Sequence, residues 1–290
     1  MEPTYAVRTR ANTVEAWSTV RLPFEPKGKL LELRTELRAA LGSLVPAPGM
    51  QLHAVYGAAD DQQFVDTENV LLYNVGTGAF RHLSRHAVVF ERSYSYPPPP
   101  EDSGMPQDQL RYQRYVIEAS AVLQHWRPAG TIASFEVGAA SLKTPAAVWS
   151  AIRRSAPTPP LPSESPARFL VRLRIRDTRP SHATNLAGLV KPVLDGVISA
   201  FHSHAGEAEQ VARRLADLGI GEYDLIRRWL ADARWAALGP RQLVRPFGPR
   251  GVQWNPADDH CVAAAVTIDP TPGDGPRWQL SGELAWAAPR

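Results

Sequence analysis

The 290-residue chain is 44% hydrophobic, with 27 prolines, 20 glycines and one cysteine, enough for one large domain or two of roughly 120–150 residues. Its apolar residues fall in periodic runs, which excludes wholesale disorder, and no stretch reaches the ~18 uninterrupted apolar residues of a membrane span. Thirty-two basic against 29 acidic residues leave a net charge of +3, and with only four lysines (Lys27, Lys29, Lys143, Lys191) the arginine excess fits a GC-rich composition as well as phosphate binding.

In chain order, Val20, Leu22 and Phe24 alternate with polar neighbours and predict a first strand. Pro26-Lys27-Gly28-Lys29 then leads into a helix with Leu30, Leu33, Leu37 and Leu41 on one face, and Gly42 as its stop. Short strands are expected at 52–56, 87–94, 112–119 and 131–137, with an Asp- and Gln-rich loop after the first of them. Pro97 to Pro106 reads as a surface loop, and the Pro-rich run 155–166 as an extended linker dividing a first half, 1–154, from a second, 167–290. The second half opens with a strand in which Phe169, Val171, Leu173 and Ile175 face one way and Arg172, Arg174 and Arg176 the other. A helical pattern follows from Leu186 to Phe201, with Pro192 as an alternative start. Two amphipathic helices are expected within 206–240, and closing strands at 262–268 and 278–286. Strands and helices without regular alternation predict an α+β fold.

A pattern recurs about 116 residues apart, a distance suited to a duplicated domain. Strand 52–56 precedes Asp66-Thr67-Glu68-Asn69, the apolar Val70-Leu71-Leu72, and Gly76 to Phe80. Strand 169–175 precedes His182-Ala183-Thr184-Asn185, Leu186, then Lys191-Pro192-Val193-Leu194-Asp195-Gly196 and Phe201. At these residues the chain resembles the RusA-like family of Holliday-junction resolvases. That family's hallmark is Asp-x-Asp-Asn-Leu-x-Lys-x-x-x-Asp opening a helix, with a later Asp-Asp pair ahead of a strand, here Asp258-Asp259. The Lys27 and Lys29 loop is similar to the family's basic N-terminal loop. The resemblance implies a homodimeric α/β architecture that binds a divalent metal, magnesium, through aspartates; two related halves in one chain would form a pseudo-dimer.

Departures from the hallmark are specific. His182 and Thr184 stand where the second half should carry aspartates, and the first half has no lysine in its helix and no later Asp-Asp pair. Neither half holds a full set of hard oxygen ligands for magnesium. Either a composite site forms across the halves or cleavage has been lost, and the sequence favours loss. If cleavage survives, Asp66, Glu68, Asp258 and Asp259 are the expected metal ligands, Lys191 and Asp195 the catalytic groups, and Asn69 and Asn185 accompany them. Lys27, Lys29, Arg172, Arg174 and Arg176 are the expected contacts to DNA or RNA, the arginines spaced at about 7 Å intervals.

Other constellations have ordinary readings. Asp66 and Glu68 equally suit helix capping. His202, His204, His260 and Cys261 fit no standard zinc spacing, and His82 with His86 lacks the Glu of a zinc protease. Gly76-Thr77-Gly78 lacks a third glycine, and Ser203 lacks a nucleophile elbow. The expected function is nucleic-acid binding by a relative of metal-dependent, structure-specific endonucleases. The alternative is a non-enzymatic scaffold that binds protein partners through Pro-rich segments and aromatics such as Trp229 and Trp235. Cys261 cannot form an internal disulfide and the first residues lack a secretion-signal layout, so the expected location is cytoplasmic.

Overall fold

The computed structural model describes residues 4–58, 65–106, 108, 110–119, 122–162, 164, 167–179 and 184–290. The Asp- and Gln-rich loop and His182 fall outside these. The fold is mixed α+β, built on one nine-stranded sheet in the order β1-β2-β5-β3-β4-β12-β7-β13-β6. Its strands are β1 (Tyr5–Arg10), β2 (Thr13–Ser18), β3 (Gln51–Ala58), β4 (Ala87–Ser93), β5 (Arg111–Glu118), β6 (Trp126–Ala139), β7 (Phe169–Asp177), β12 (Cys261–Asp269) and β13 (Trp278–Pro289). Two small ribbons, β8 (Ser203–His204) with β9 (Pro240–Arg241) and β10 (Val244–Phe247) with β11 (Gly251–Trp254), lie between β7 and β12 in the chain.

The pairing senses repeat about the centre of the sheet. From β4 outward, β3 is parallel, β5 antiparallel to β3, and β2 antiparallel to β5. From β12 outward, β7 is parallel, β13 antiparallel to β7, and β6 antiparallel to β13. The two sets join where β4 and β12 pair antiparallel, from Ala263 opposite Glu91 to Thr267 opposite Ala87. β6 lies before the Pro-rich run yet pairs with β13, which lies after it.

The first strand is displaced from its expected position. Val14, Ala16 and Trp17 of β2 are buried, whereas Val20 and Phe24 are 45% and 54% exposed and residues 20–24 form no strand. Pro23 and Pro26 remove the backbone donors that a ladder would need there.

Helix α1 (Lys29–Ser43) buries Leu30, Leu33, Leu37 and Leu41, the face that their 3.6-residue spacing selects, and runs through Gly42. α2 (Pro145–Ser155) was not read from the pattern, although Thr144 caps it by accepting from the Ala147 amide and Pro145 opens it. α3 (Leu186–Ala200) begins at Leu186 and contains Pro192. The proline leaves the Gly188 carbonyl without its helical donor, but Leu186, Ala187 and Val190 are fully buried and hold the first turns in place. α4 (Ala208–Asp217) and α5 (Tyr223–Ala231) occupy the expected 206–240 segment.

All five helices contribute to a core that also contains Val171, Leu173 and Ile175 of β7. The opposite sheet face is covered in part by Leu123 and Trp126, which pack on Val89, Leu170 and Val262. His53, buried on that face, lies between Glu118 at 2.7 Å and Glu91 at 2.8 Å, and Glu91 also accepts from the Gln124 and His125 amides. This network fastens the crossing between β5 and β6 to the sheet.

α2 fixes the position of α3 by close approach. A Cβ added at Gly196 would lie 2.6 Å from Val148 Cβ and 2.7 Å from the Pro145 carbonyl oxygen. Gly196→Ala should therefore cost about 1–3 kcal/mol, the usual penalty for an overpacked core, read as a lower urea midpoint with an unchanged m-value.

Candidate functional site

Four carboxylates from three chain segments converge on one ammonium. Lys191 Nζ, two turns into α3, lies 3.3 Å from Asp66, 3.6 Å from Glu68, 3.4 Å from Asp195 and 3.8 Å from Asp258. Asp195 stands one helical turn beyond Lys191 on the same face. Asp66 and Glu68 follow β3, and Asp258 opens the short turn that leads into β12. The antiparallel β4–β12 junction brings these segments to one end of the sheet. Arg92 of β4 ties them together, donating to Thr67 Oγ1 at 3.3 Å, to the Asp259 carbonyl at 3.2 Å and to the Val65 carbonyl.

Local structure fixes the acids. Asp66 accepts from the Asn69 backbone amide at 3.0 Å and from its side-chain amide, so the Asp-x-Glu-Asn run closes on itself. The π-helical turn Asn69–Tyr73 then buries Val70, Leu71 and Leu72. Phe90, Leu194, Ile198 and Cys261 complete a cavity of about 10 Å³ with Asp66, Glu68, Asp195 and Asp258, room for a single water or monatomic ion.

Charge in this cavity is not balanced. One ammonium faces four carboxyl groups, and the walls are partly apolar. Burial pushes the Asp195 carboxyl up to about 6. Burial, together with repulsion from Asp66 and a hydrogen bond to it, pushes Asp258 up to about 8. Burial also raises Glu68 well above the usual carboxylate range, and its Oε1 is buried without a hydrogen-bond partner. Burial opposes the charge on Lys191, but the surrounding carboxylates outweigh it and hold the ammonium protonated above its ordinary range. Acids that retain protons because burial and neighbouring carboxyl groups disfavour their charge can exchange those protons for a cation.

The remaining expected residues are placed differently. Asp259, adjacent to Asp258, faces Arg241 at 3.7 Å and His260 at 3.9 Å rather than Lys191. The Oδ1 atoms of Asn69 and Asn185 are buried without hydrogen-bond partners, and Asn185 precedes α3. Arg172 and Arg174 are exposed on the sheet face opposite α3, where Arg174 pairs with Asp269 at 3.0 Å and Arg176 meets Gln279 at 3.5 Å. The arginine row is therefore on the other side of the sheet from Asp195. Lys27 is exposed, and Lys29 pairs with Glu32 at 2.8 Å. His202 Nδ1 donates to the Gly239 carbonyl at 2.9 Å, away from the acids, whereas Cys261 lines the acid cavity and donates its thiol hydrogen to the Ala263 carbonyl. Trp235 is buried, and Trp229 is partly buried and packs edge-on against Trp149.

Among the described residues, no three carboxylate, imidazole or thiol groups already surround one point as metal ligands; the acids surround the ammonium instead. The donor set nevertheless suits a hard divalent cation. It offers several carboxylate oxygens, one of them unpartnered, in a space of ionic size. No helix among the described residues is long and apolar enough to cross a membrane. No family model matches the chain, and neither a curated protein nor a solved structure does.

The raised Asp258 pKa has a thermodynamic sign. With a folded value of about 8 against 3.8 unfolded, the folded protein keeps a proton that the unfolded chain has released. That contribution is fully present at low pH and is lost as pH rises through about 8. In chelator, this one proton should cost the protein up to about 1.4 kcal/mol per pH unit as pH rises from about 5 towards 8, with the slope vanishing above that. Thermal unfolding of the wild type and of Asp258→Asn checks this, with the slope flattened in the variant.

Proposed function

We propose that the chain is a nucleic-acid-binding phosphodiesterase of the RusA-like kind, with one composite metal site assembled from both halves. The observation that carries the proposal is the convergence of Asp66, Glu68, Asp195 and Asp258 on Lys191. Read this way, the first half supplies the Asp-x-Glu-Asn motif, and the second supplies the Lys-x-x-x-Asp helix and the later aspartate. Each half lacks what the other provides. Cleavage, which the sequence alone argues against, thereby regains a complete set of acids.

The repeated pairing senses about β4 and β12 support a duplication. On this reading one repeat runs from β2 to β5 and the other from β6 to β13. Its boundary falls at the β5–β6 crossing, not at the Pro-rich run, and α4, α5 and the small ribbons are an elaboration of the second copy. The pseudo-dimer then has one working site where two equivalent ones would be expected.

Asp66, Glu68 and Asp258 would hold the cation, leaving Asp195 beside it. A bound divalent cation supplies Lewis-acid polarisation of the phosphodiester and lowers the pKa of a neighbouring water. The chain's own groups do the rest. Lys191, displaced from the centre on its flexible stem, stabilises negative charge developing on the phosphoryl oxygens. Asp195, with its pKa near 6, is placed to exchange a proton near neutral pH. Phe90, Leu194 and Ile198 keep bulk water from the acids, which strengthens each electrostatic contact.

Magnesium or manganese should bind with release of protons, more of them at pH 6 than at pH 8.5. A four-way DNA junction should then be cut, and Asp66→Asn or Asp258→Asn should lower the rate by at least about 100-fold. Gel assays of junction cleavage with calorimetry of metal binding check both. Junction binding without cleavage at any metal concentration would limit the function to binding.

A further inference from the structure

We infer that the cleft between the start of α1 and the turn following the acid motif is a nucleotide subsite, in which an unpaired base stacks on Phe24 and Tyr73 while Arg34 and Arg38 hold the adjoining phosphate. This rests on the nucleic-acid reading above and adds where a strand is gripped. The cleft is about 440 Å³, and its lining includes Phe24, Glu25, Arg34, Arg38, Tyr73 and Thr77.

Three observations carry it. Phe24 and Tyr73 stack with ring centroids 5.0 Å apart and planes inclined by only 9°, yet they are 54% and 41% exposed. Two large rings held together in water, on segments 49 residues apart, present a flat apolar surface of the kind on which any base can stack. Next, Arg34 and Arg38 stand one turn apart on α1 and have no carboxylate partner among the described residues. Arg34 donates to the Phe24 carbonyl at 3.2 Å and Arg38 to the Val75 carbonyl at 2.5 Å. Arg34 Nε is buried without a partner, and burial together with the Arg34 charge lowers the Arg38 pKa. Two guanidinium groups that repel one another beside an aromatic platform are complementary to a phosphate.

Third, the cleft adjoins the acid site through the backbone. Tyr73 ends the π-helical turn that begins at Asn69 beside Asp66. On the other side, a Cβ added at Gly188 of α3 would lie 3.9 Å from Thr77 Oγ1 and 3.1 Å from Asn185 Nδ2. Gly188 precedes Lys191 by one turn on the same helix face. A strand seated on Phe24 and Tyr73 can therefore follow Thr77 and the start of α3 to Lys191. Gly76 is adapted to this arrangement. Its φ is +105°, and an added Cβ would fall 2.2 Å from Arg38 Nη2, so a side chain there would displace the guanidinium.

The test uses full-length protein in chelator, where cleavage plays no part. Fluorescence anisotropy measures binding of a fluorescein-labelled 12-residue oligo-dT and of a four-way DNA junction. Phe24→Ala and Tyr73→Ala should each weaken oligo-dT binding about 5- to 100-fold. Phe24→Tyr should retain wild-type affinity. Arg34→Gln with Arg38→Gln should make the dependence of affinity on salt shallower by one to two released counterions. Phe24 and Tyr73 are exposed, so unchanged thermal melting separates lost binding from lost fold. Wild-type affinity in both alanine variants would overturn the subsite and leave the nuclease reading standing. No binding of either probe by the wild type would overturn the nucleic-acid reading and the subsite with it.

Discussion

The antiparallel pairing of β4 with β12 is the constraint on which the rest of this structure depends. Five residue pairs, Ala263–Glu91 to Thr267–Ala87, join a five-stranded and a four-stranded arrangement into one sheet. These pairs, between the five strands ending at β4 and the four beginning at β12, also let α3 cross from its own strands onto the turns of the first half. There the buried Ala187 amide donates to Ser84 Oγ at 3.3 Å. Without that join, Asp66 and Glu68 would lie far from Lys191 and Asp258, and neither half would carry more than a fragment of the acidic constellation.

The site that results is held by opposing electrostatic terms. Four carboxylates placed together in a half-buried cavity repel one another and lose solvation, both of which favour protonation. Lys191 offsets part of this, and at the 3.3–3.8 Å separations seen here each contact is worth more than it would be in water. The balance still leaves Asp258 and Glu68 shifted upward. A purely structural ion-pair cluster gains most when its charges cancel, and this one crowds four carboxyl groups around one ammonium, so that some of them are favoured in the protonated form. That crowding is the physical reason for proposing a cationic ligand at the cluster.

Legibility of these features from sequence followed their range. The α1 face, the alternation of β7 and the closing strands were readable because each depends on neighbours within one or two turns or a few pleats. Alternation at Val20–Phe24 mimics a strand, but Pro23 and Pro26 lack the backbone donors of one, and the strand forms at Thr13–Ser18 instead. α2 escaped a search for apolar periodicity, although Thr144-Pro145 is a good start signal. The acids were recognisable by type, but not their assembly. Lys191 and Asp66 are separated by 125 residues, and only the strand order unites them. Asp258 and Asp259 could not be told apart in sequence, because a single turn sends one to Lys191 and the other to Arg241. The arginine row was legible as a row, yet nothing local reveals that it stands on the sheet face away from the acids.

Anomalous diffraction from crystals soaked in manganese tests the central claim most directly, since it locates a cation without reference to activity. The account predicts one strong peak among the Asp66, Glu68 and Asp258 carboxylates, with Lys191 Nζ moved out of the centre, and no such peak in Asp258→Asn. Lys191 unmoved among the four carboxylates at saturating manganese, with no peak there, would contradict it.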